Sequence, residues 1–85
     1  MPLASVHTRT MEFGVVGLGR IGGGLALQAM RKGHRVVGVD PAPDLSMLDR
    51  LTEAGLERAR TLADLVGLLP APRVLFLYVH AGELI

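Results

Sequence analysis

The sequence predicts an α/β fold in which helices cover the faces of a parallel β-sheet. Two observations predict this class. Short apolar segments rich in β-branched residues alternate along the chain with segments of helical periodicity, in the order β-α-β-α-β-α-β. The segments EFGVVG at 12–17 and VLFLYV at 74–79 are apolar at successive positions, which is typical of parallel strands buried on both faces. The chain contains no internal repeat and no low-complexity segment.

The first elements follow a leader without periodicity. Residues 1–10 are expected to be disordered, so either Met1 or Met11 could be the natural start. The strand at 12–17 precedes a helix over 20–32, which the helical spacing of a partly apolar set predicts: Ile21, Leu25, Gln28, Ala29 and Met30. Gly33 then stands where a glycine commonly ends a helix.

The middle of the chain predicts a second strand and a second helix. RVVGV at 35–39 forms the strand, and Asp40 lies at its carboxyl end. Asp44 is a favourable cap for the helix that follows. One face of that helix is expected to carry Leu45, Leu48 and Leu51 or Thr52, and Gly55 ends the helix.

The last third of the chain predicts three further elements. Residues 56–59 form a short third strand. Thr61 and Asp64 fit a capping box, in which each would bond the backbone of the other at the start of a helix that runs to about Leu69. A turn containing two prolines then leads into the strand at 74–79.

The composition is that of one small folded domain and excludes several functions. The chain has 85 residues, of which 49% are hydrophobic and 20% charged, with a formal net charge of +1. Without a basic run, and with 4% aromatic residues, it lacks the surface that binds nucleic acid. The absence of cysteine excludes disulfides, thiolate chemistry and cysteine zinc sites, and suits a cytoplasmic location. No membrane span is predicted, because Arg20 and six glycines interrupt the apolar segment 13–30. Histidines at metal-ligand spacing are also missing, so no metal site is expected.

The glycines cluster in a phosphate-binding pattern. The sequence matches G-x-G-x-x-G at Gly17, Leu18, Gly19, Arg20, Ile21 and Gly22, between a predicted strand and a predicted helix. Gly17 permits the tight turn, Gly19 lets a diphosphate approach the backbone, and Gly22 lets the helix pack on the strand. The helix N-terminus would then hold the diphosphate. Asp40 follows Gly22 by 18 residues and would accept hydrogen bonds from the adenosine ribose. The pattern predicts part of a Rossmann-like, doubly wound sheet over residues 11–85, about half of a complete dinucleotide-binding domain.

Several points stay open in this interpretation. The glycines alone would also fit a tight turn that binds nothing. Arg20 could contact the diphosphate or adenine, or be a surface arginine. Gly23 and Gly24 have no assigned role and cost about 1 kcal/mol each relative to alanine within a helix. The carboxylate of Asp40 repels a 2′-phosphate and the next residues, PAPD, contain no arginine, so NAD is predicted over NADP.

The segments GVVGLGRIG, GHRVVGVD, DLV and PRVLFLYVHAGE together resemble the N-terminus of 6-phosphogluconate dehydrogenases. The resemblance is to the NAD-preferring, decarboxylating bacterial type within the β-hydroxyacid dehydrogenases, and it runs from Met11 to the end of the chain. It implies that Val79, His80 and Ala81 line the nicotinamide side of the cofactor. His80 departs from the family's pattern, either as a donor to the cofactor or as a solvated surface residue.

The resemblance also implies which parts of the reaction are missing. The family oxidises the 3-hydroxyl of 6-phosphogluconate and then decarboxylates the product, within pentose phosphate metabolism. Its lysine base, its second acid and its helical substrate and dimerisation domain follow the NAD-binding domain. Lys32 is the only lysine here and lies at the back of the first helix, so no catalytic residue is assigned. We expect a truncated chain that is inactive alone, whereas a full-length member would be a homo-oligomer.

Two alternatives and one physical consequence complete the expectations. The chain could come from another β-hydroxyacid dehydrogenase, such as the 3-hydroxyisobutyrate type, although that type tends to place a Leu-Pro-like sequence where VHAGE stands. It could also be a non-catalytic nucleotide-sensing domain, since fold analogy does not separate the two classes. In either case the apolar strand 74–79 would lack an outer neighbour, and an exposed sheet edge favours self-association.

Overall fold

A computed structural model of the chain describes residues 10–78, which form a four-stranded parallel sheet and three helices. The predicted order of elements is confirmed. The elements are β1 (Glu12–Val16), α1 (Arg20–Arg31), β2 (Arg35–Val39), α2 (Leu45–Ala54), β3 (Glu57–Arg58), α3 (Leu62–Leu68) and β4 (Leu75–Leu77). The predicted leader, apart from its last residue, lies outside the described residues.

The strands lie in the order β3-β2-β1-β4, and each neighbouring pair is parallel. From β1 the chain moves outward through β2 to β3, and then crosses back to place β4 on the other side of β1. The direction of winding therefore changes between β1 and β4. In open parallel sheets, ligands bind outside the carboxyl ends of the strands at such a change of direction.

The helices cover both faces of the sheet, which makes the fold doubly wound. On one face, α1 and α2 pack over a core of Phe13, Val15, Leu18, Ala26, Leu27, Ala29, Val36 and Leu51. On the other face, α3 packs over Val37, Val39, Ala59, Leu65 and Leu69. Residues that alternate along β1 and β2 serve the two faces in turn, so the continuous apolar strands of the sequence are explained by burial on both sides.

The helix ends follow the sequence signals with one exception. The side chain of Asp44 caps α2 by accepting from the backbone N–H of Ser46 at 3.0 Å. The hydroxyl of Thr61 caps α3 by accepting from the N–H of Asp64 at 3.1 Å. The return bond expected from the Asp64 side chain is not among the hydrogen bonds of residues 10–78. Gly33, with a φ of 92°, follows α1 in the left-handed conformation that glycine adopts readily.

Two of the residues whose spacing predicted α1 lie on its exposed side. Ile21 is 71% exposed and Gln28 is also exposed. The buried residues of α1 are Gly22, Gly23, Ala26, Leu27 and Ala29. Four of these five residues are glycine or alanine, so the buried side of α1 consists mainly of small residues.

Two further expectations need correction. Leu45 was expected to share one face of α2 with Leu51, but Leu45 is 72% exposed whereas Leu51 is buried, and Met47 packs against the core. The strand predicted at 74–79 is shorter in the structure, where β4 covers Leu75–Leu77, and Phe76 is 39% and Leu77 60% exposed, as expected of a strand without an outer neighbour. Both follow from position: Leu45 begins its helix, and within the described residues β4 has a partner only on its β1 side. Across residues 10–78, no helix is both long and apolar enough to cross a membrane.

Candidate dinucleotide-binding site

The turn between β1 and α1 has a shape that only glycine permits at two of its positions. Gly17 follows β1 with a φ of 97°, and its N–H donates to the carbonyl of Val39 at 2.9 Å. A Cβ on Gly17 would collide with the backbone carbonyl of Tyr78, and one on Gly22 would collide with the carbonyl oxygen of Gly17. The two glycines therefore allow α1 to begin directly against the ends of β1 and β4.

The middle glycine of the motif faces open space. Gly19 is exposed and precedes the first residue of α1, and a Cβ built there would meet no atom of residues 10–78 within 4 Å. Among the described residues no side chain caps α1, and the first turn of this helix carries no acidic residue. Since the first N–H groups of a helix have no acceptor within the helix, this end of α1 offers donors and a partial positive charge. An anion can approach it without meeting a side chain at position 19.

Asp40, at the carboxyl end of β2, is joined to the glycine turn. Its Oδ2 accepts from the N–H of Leu18 at 2.7 Å, and its Oδ1 accepts from the N–H of Ala42 at 2.9 Å. The side chain of Leu18 is fully buried in the core, so Leu18 meets the site through its backbone. Each carboxylate oxygen has two lone-pair sites, and the half-buried Asp40 can therefore accept further hydrogen bonds from a ligand.

The bond between Asp40 and Leu18 was missed in the sequence, where Asp40 was assigned to a ribose alone. The signal that could have found it is the pairing of neighbouring parallel strands. Val16 lies opposite Val39, so the residues that follow these two strand ends are close in space.

A cavity of about 390 Å³ opens beside Asp40 at the ends of β2 and β3. It is lined by Asp40, Pro41, Arg58, Ala59 and Arg60. No arginine follows Asp40 directly in the sequence. In the structure, however, β3 and the residues after it bring Arg58 and Arg60 to the same cavity as Asp40. They were missed since they lie 18 and 20 residues further along the chain.

The remaining candidate residues differ in where they lie. Val79, His80 and Ala81 are outside the described residues. Arg20 and Ile21 are exposed in the first turn of α1. His34 is at the opposite, amino end of the sheet, where its Nδ1 accepts from the N–H of Met11 at 3.0 Å. Residues 10–78 hold no group of three or more side chains able to ligate a metal ion.

Comparison with known proteins points to one family. Residues 12–85 match the family described as the NAD binding domain of 6-phosphogluconate dehydrogenase. YqeC of Bacillus subtilis, a protein named after 6-phosphogluconate dehydrogenase, is 33% identical over 72 residues, covering 85% of this chain and 24% of its own length. The NAD(+)-dependent, decarboxylating 6-phosphogluconate dehydrogenase of Haloferax volcanii is 36% identical over 73 residues, covering 86% of this chain and 24% of its own length. The chain thus spans about a quarter of these relatives.

Proposed function

The chain belongs to the family of NAD-binding domains of 6-phosphogluconate dehydrogenase, and we propose that its site for NAD consists of the glycine turn, Asp40 and the segment after β4. The observation that carries the proposal is the 2.7 Å hydrogen bond between Leu18 N and Asp40 Oδ2. It joins the carboxylate suited to a ribose with the turn suited to a diphosphate, at the change of winding between β1 and β4.

The diphosphate binds at the first turn of α1 in this proposal. Gly19 leaves room for it, and the uncapped N–H groups of α1 donate to its oxygens. Arg20 adds a positive charge at the same end of the helix. The exposed side chain of Ile21 offers an apolar contact to the cofactor. Gly17 and Gly22 maintain the shape of the turn.

The adenosine ribose binds at Asp40, whose remaining lone pairs accept from the two ribose hydroxyls. A 2′-phosphate would place a second negative group beside this carboxylate, so NAD is preferred over NADP. Val79, His80 and Ala81 follow β4 and line the nicotinamide end. NAD supplies the hydride acceptor when bound, and the residues proposed here only bind and orient it.

The complete reaction requires more chain than is present here. By its relatives' names, the whole protein would be an NAD-dependent, decarboxylating 6-phosphogluconate dehydrogenase, and its relatives are about four times as long as the matched region. We assign no catalytic residue to this chain. The purified 85-residue chain, mixed with NAD and 6-phosphogluconate, is expected to form no NADH.

Two glycines provide a matched test of the site. Gly19→Ala and Gly24→Ala each add a methyl group where no atom of the described part of the chain lies within 4 Å, and Gly19 has a φ of −80° that alanine adopts. Both variants should therefore fold. Titration with NADH, followed by its fluorescence, should show at least about tenfold weaker binding for Gly19→Ala and unchanged binding for Gly24→Ala. Equal binding by the two variants would exclude this site, and a wild-type chain that does not bind NADH would overturn the proposed function.

A further inference from the structure

The cavity beside Asp40 contains more positive than negative charge. Arg58 belongs to β3, and Arg60 follows it by two residues, so both reach the edge of the sheet where β2 ends. With the single carboxylate of Asp40, the titratable groups that line this cavity have a net charge of +1. A pocket built only to accept the hydroxyls of a neutral ribose has no need of two guanidinium groups.

We propose that Arg58 and Arg60 form a latent site for the 2′-phosphate of NADP, which Asp40 alone keeps closed. The inference rests on the proposed function, because it places the adenosine end of the cofactor in this cavity. The preference for NAD would then depend on repulsion from one carboxylate, and the partners that a phosphate requires would already be present.

The backbone that carries the two arginines is held in place. Ala59 lies between them, is 3% exposed, and packs in the core under α3. Its N–H donates to the carbonyl of Gly38 in β2 at 2.8 Å. This anchor fixes the positions from which Arg58 and Arg60 leave the sheet, whereas their own side chains are exposed.

The availability of these guanidinium groups contrasts with that of Arg35. The Arg35 side chain is engaged by two glutamates at the other end of the sheet. Arg58 and Arg60 form no side-chain hydrogen bond or ion pair with any other residue between 10 and 78. Guanidinium groups bind phosphate through paired, charge-assisted hydrogen bonds, so these two are suited to a phosphate that enters the cavity.

The substitution Asp40→Asn tests whether the negative charge of Asp40 excludes a 2′-phosphate from the cavity. Asparagine removes the negative charge and keeps one oxygen, which can accept from Leu18 N–H, whereas an amide NH2 group replaces the oxygen that accepts from Ala42 N–H. Calorimetric titration would compare adenosine 5′-diphosphate with adenosine 2′,5′-bisphosphate, two probes that differ in their phosphate positions and omit the nicotinamide. In the wild-type chain the 5′-diphosphate should bind more tightly. In Asp40→Asn, binding of the 2′,5′-bisphosphate should strengthen about tenfold or more, and added salt should weaken that gain.

Replacing Arg58 and Arg60 tests whether they cause the stronger binding of the 2′,5′-bisphosphate. The triple variant Asp40→Asn, Arg58→Gln, Arg60→Gln should lose it. The control variant Asp40→Asn, Arg31→Gln, Lys32→Gln removes the same charge from the far end of α1 and should keep it. The inference would be overturned if Asp40→Asn did not strengthen binding of the 2′,5′-bisphosphate, or if the stronger binding persisted without Arg58 and Arg60. In either case, wild-type binding of the 5′-diphosphate and NADH would leave the proposed function intact. A wild-type chain that binds neither the 5′-diphosphate nor NADH would overturn both.

Discussion

Gly23 lies in α1 at the point where this helix meets α2. A Cβ there would be 2.6 Å from Met47 Cγ, 2.9 Å from Met47 Sδ and 3.1 Å from the carbonyl oxygen of Leu18. A Cβ on the adjacent Gly24 would meet nothing within 4 Å. Close packing against Met47 therefore explains Gly23, which the sequence left without a role, and nothing in the structure explains Gly24.

Substitution of these two glycines should change stability in opposite directions. Gly24→Ala should raise the free energy of unfolding by about 0.5–1 kcal/mol, because alanine favours the helix and finds open space. Gly23→Ala should lower it by about 1 kcal/mol, since overpacking exceeds the same gain in propensity. Urea denaturation followed by circular dichroism measures both.

The double variant Gly23→Ala, Met47→Ala tests the cause of the loss. If Met47 is the obstacle, the two substitutions should be less destabilising together than the sum of their separate effects. Additive effects, or a Gly23→Ala variant as stable as Gly24→Ala, would contradict this account of α1 packing.

The strands are tied together at their amino ends by Arg35. Its guanidinium donates to Glu57 at 2.5 and 2.8 Å, to Glu12 at 2.8 Å and to the carbonyl of Leu68 at 2.9 Å. These bonds join β2 to β1, β3 and the end of α3. The hydrogen bond from Arg35 holds the pKa of Glu57 below its ordinary value, and the two glutamates raise the pKa of Arg35. The ion pairs of Arg35 thus lie at the amino end of the sheet, and the candidate dinucleotide-binding site lies at its carboxyl end.

The pKa of Glu57 predicts a loss of stability in acid. A carboxylate whose pKa is lower in the folded chain stabilises the fold above its ordinary pKa of 4.5, and that contribution disappears as the pH falls through the lower, folded value. Because the Arg35 and Glu57 side chains are 31% and 44% exposed, we expect less than about 1 kcal/mol. Glu57→Gln should therefore reduce the fall in unfolding free energy between about pH 5 and pH 3.

Glu53→Gln is the matched control, because Glu53 is an exposed glutamate of α2 without an ion pair among residues 10–78. Urea titrations at several pH values would compare the two variants with wild type. A pH dependence unchanged by Glu57→Gln, or reduced equally by both substitutions, would show that the Arg35–Glu57 pair does not contribute.

The elements could be predicted because their signals are local. Apolar runs, the caps Asp44 and Thr61, and Gly33 each act within a few residues. The inward face of α1 could not be predicted, because its contacts depend on how closely the helix approaches its neighbours. The burial of a glycine also cannot be recognised from its hydropathy. The cavity lining at Arg58 also depends on strand pairing, which brings together residues distant in the sequence.

At the scale of the whole molecule, the sheet has an apolar edge at β4. Val74 is 47%, Phe76 39% and Leu77 60% exposed, and within the described residues β4 pairs only with β1. The ring of Phe76 still contacts that of Phe13 edge-on, with 5.2 Å between ring centroids. Unpaired backbone groups beside exposed apolar side chains favour pairing with another chain.

We expect the 85-residue chain to self-associate through β4 as its concentration rises. Leu77→Lys should shift the chain towards monomer, because a charge at an edge strand opposes pairing. Leu45→Lys is the control, since Leu45 is 72% exposed on α2 and away from this edge. Sedimentation velocity over a range of concentrations distinguishes them. A wild-type chain that stays monomeric throughout, or an equal effect of both lysines, would contradict the prediction.

The bond between Leu18 and Asp40 restricts how this protein could change its cofactor in the course of evolution. A substitution such as Asp40→Ala would remove the carboxylate to which we attribute the proposed preference for NAD, and it would also leave the N–H of Leu18 without its acceptor. Only residues with a short side chain and an oxygen acceptor, such as asparagine or serine, could separate the two effects. Few substitutions at position 40 could therefore change the proposed cofactor preference and leave the glycine turn intact.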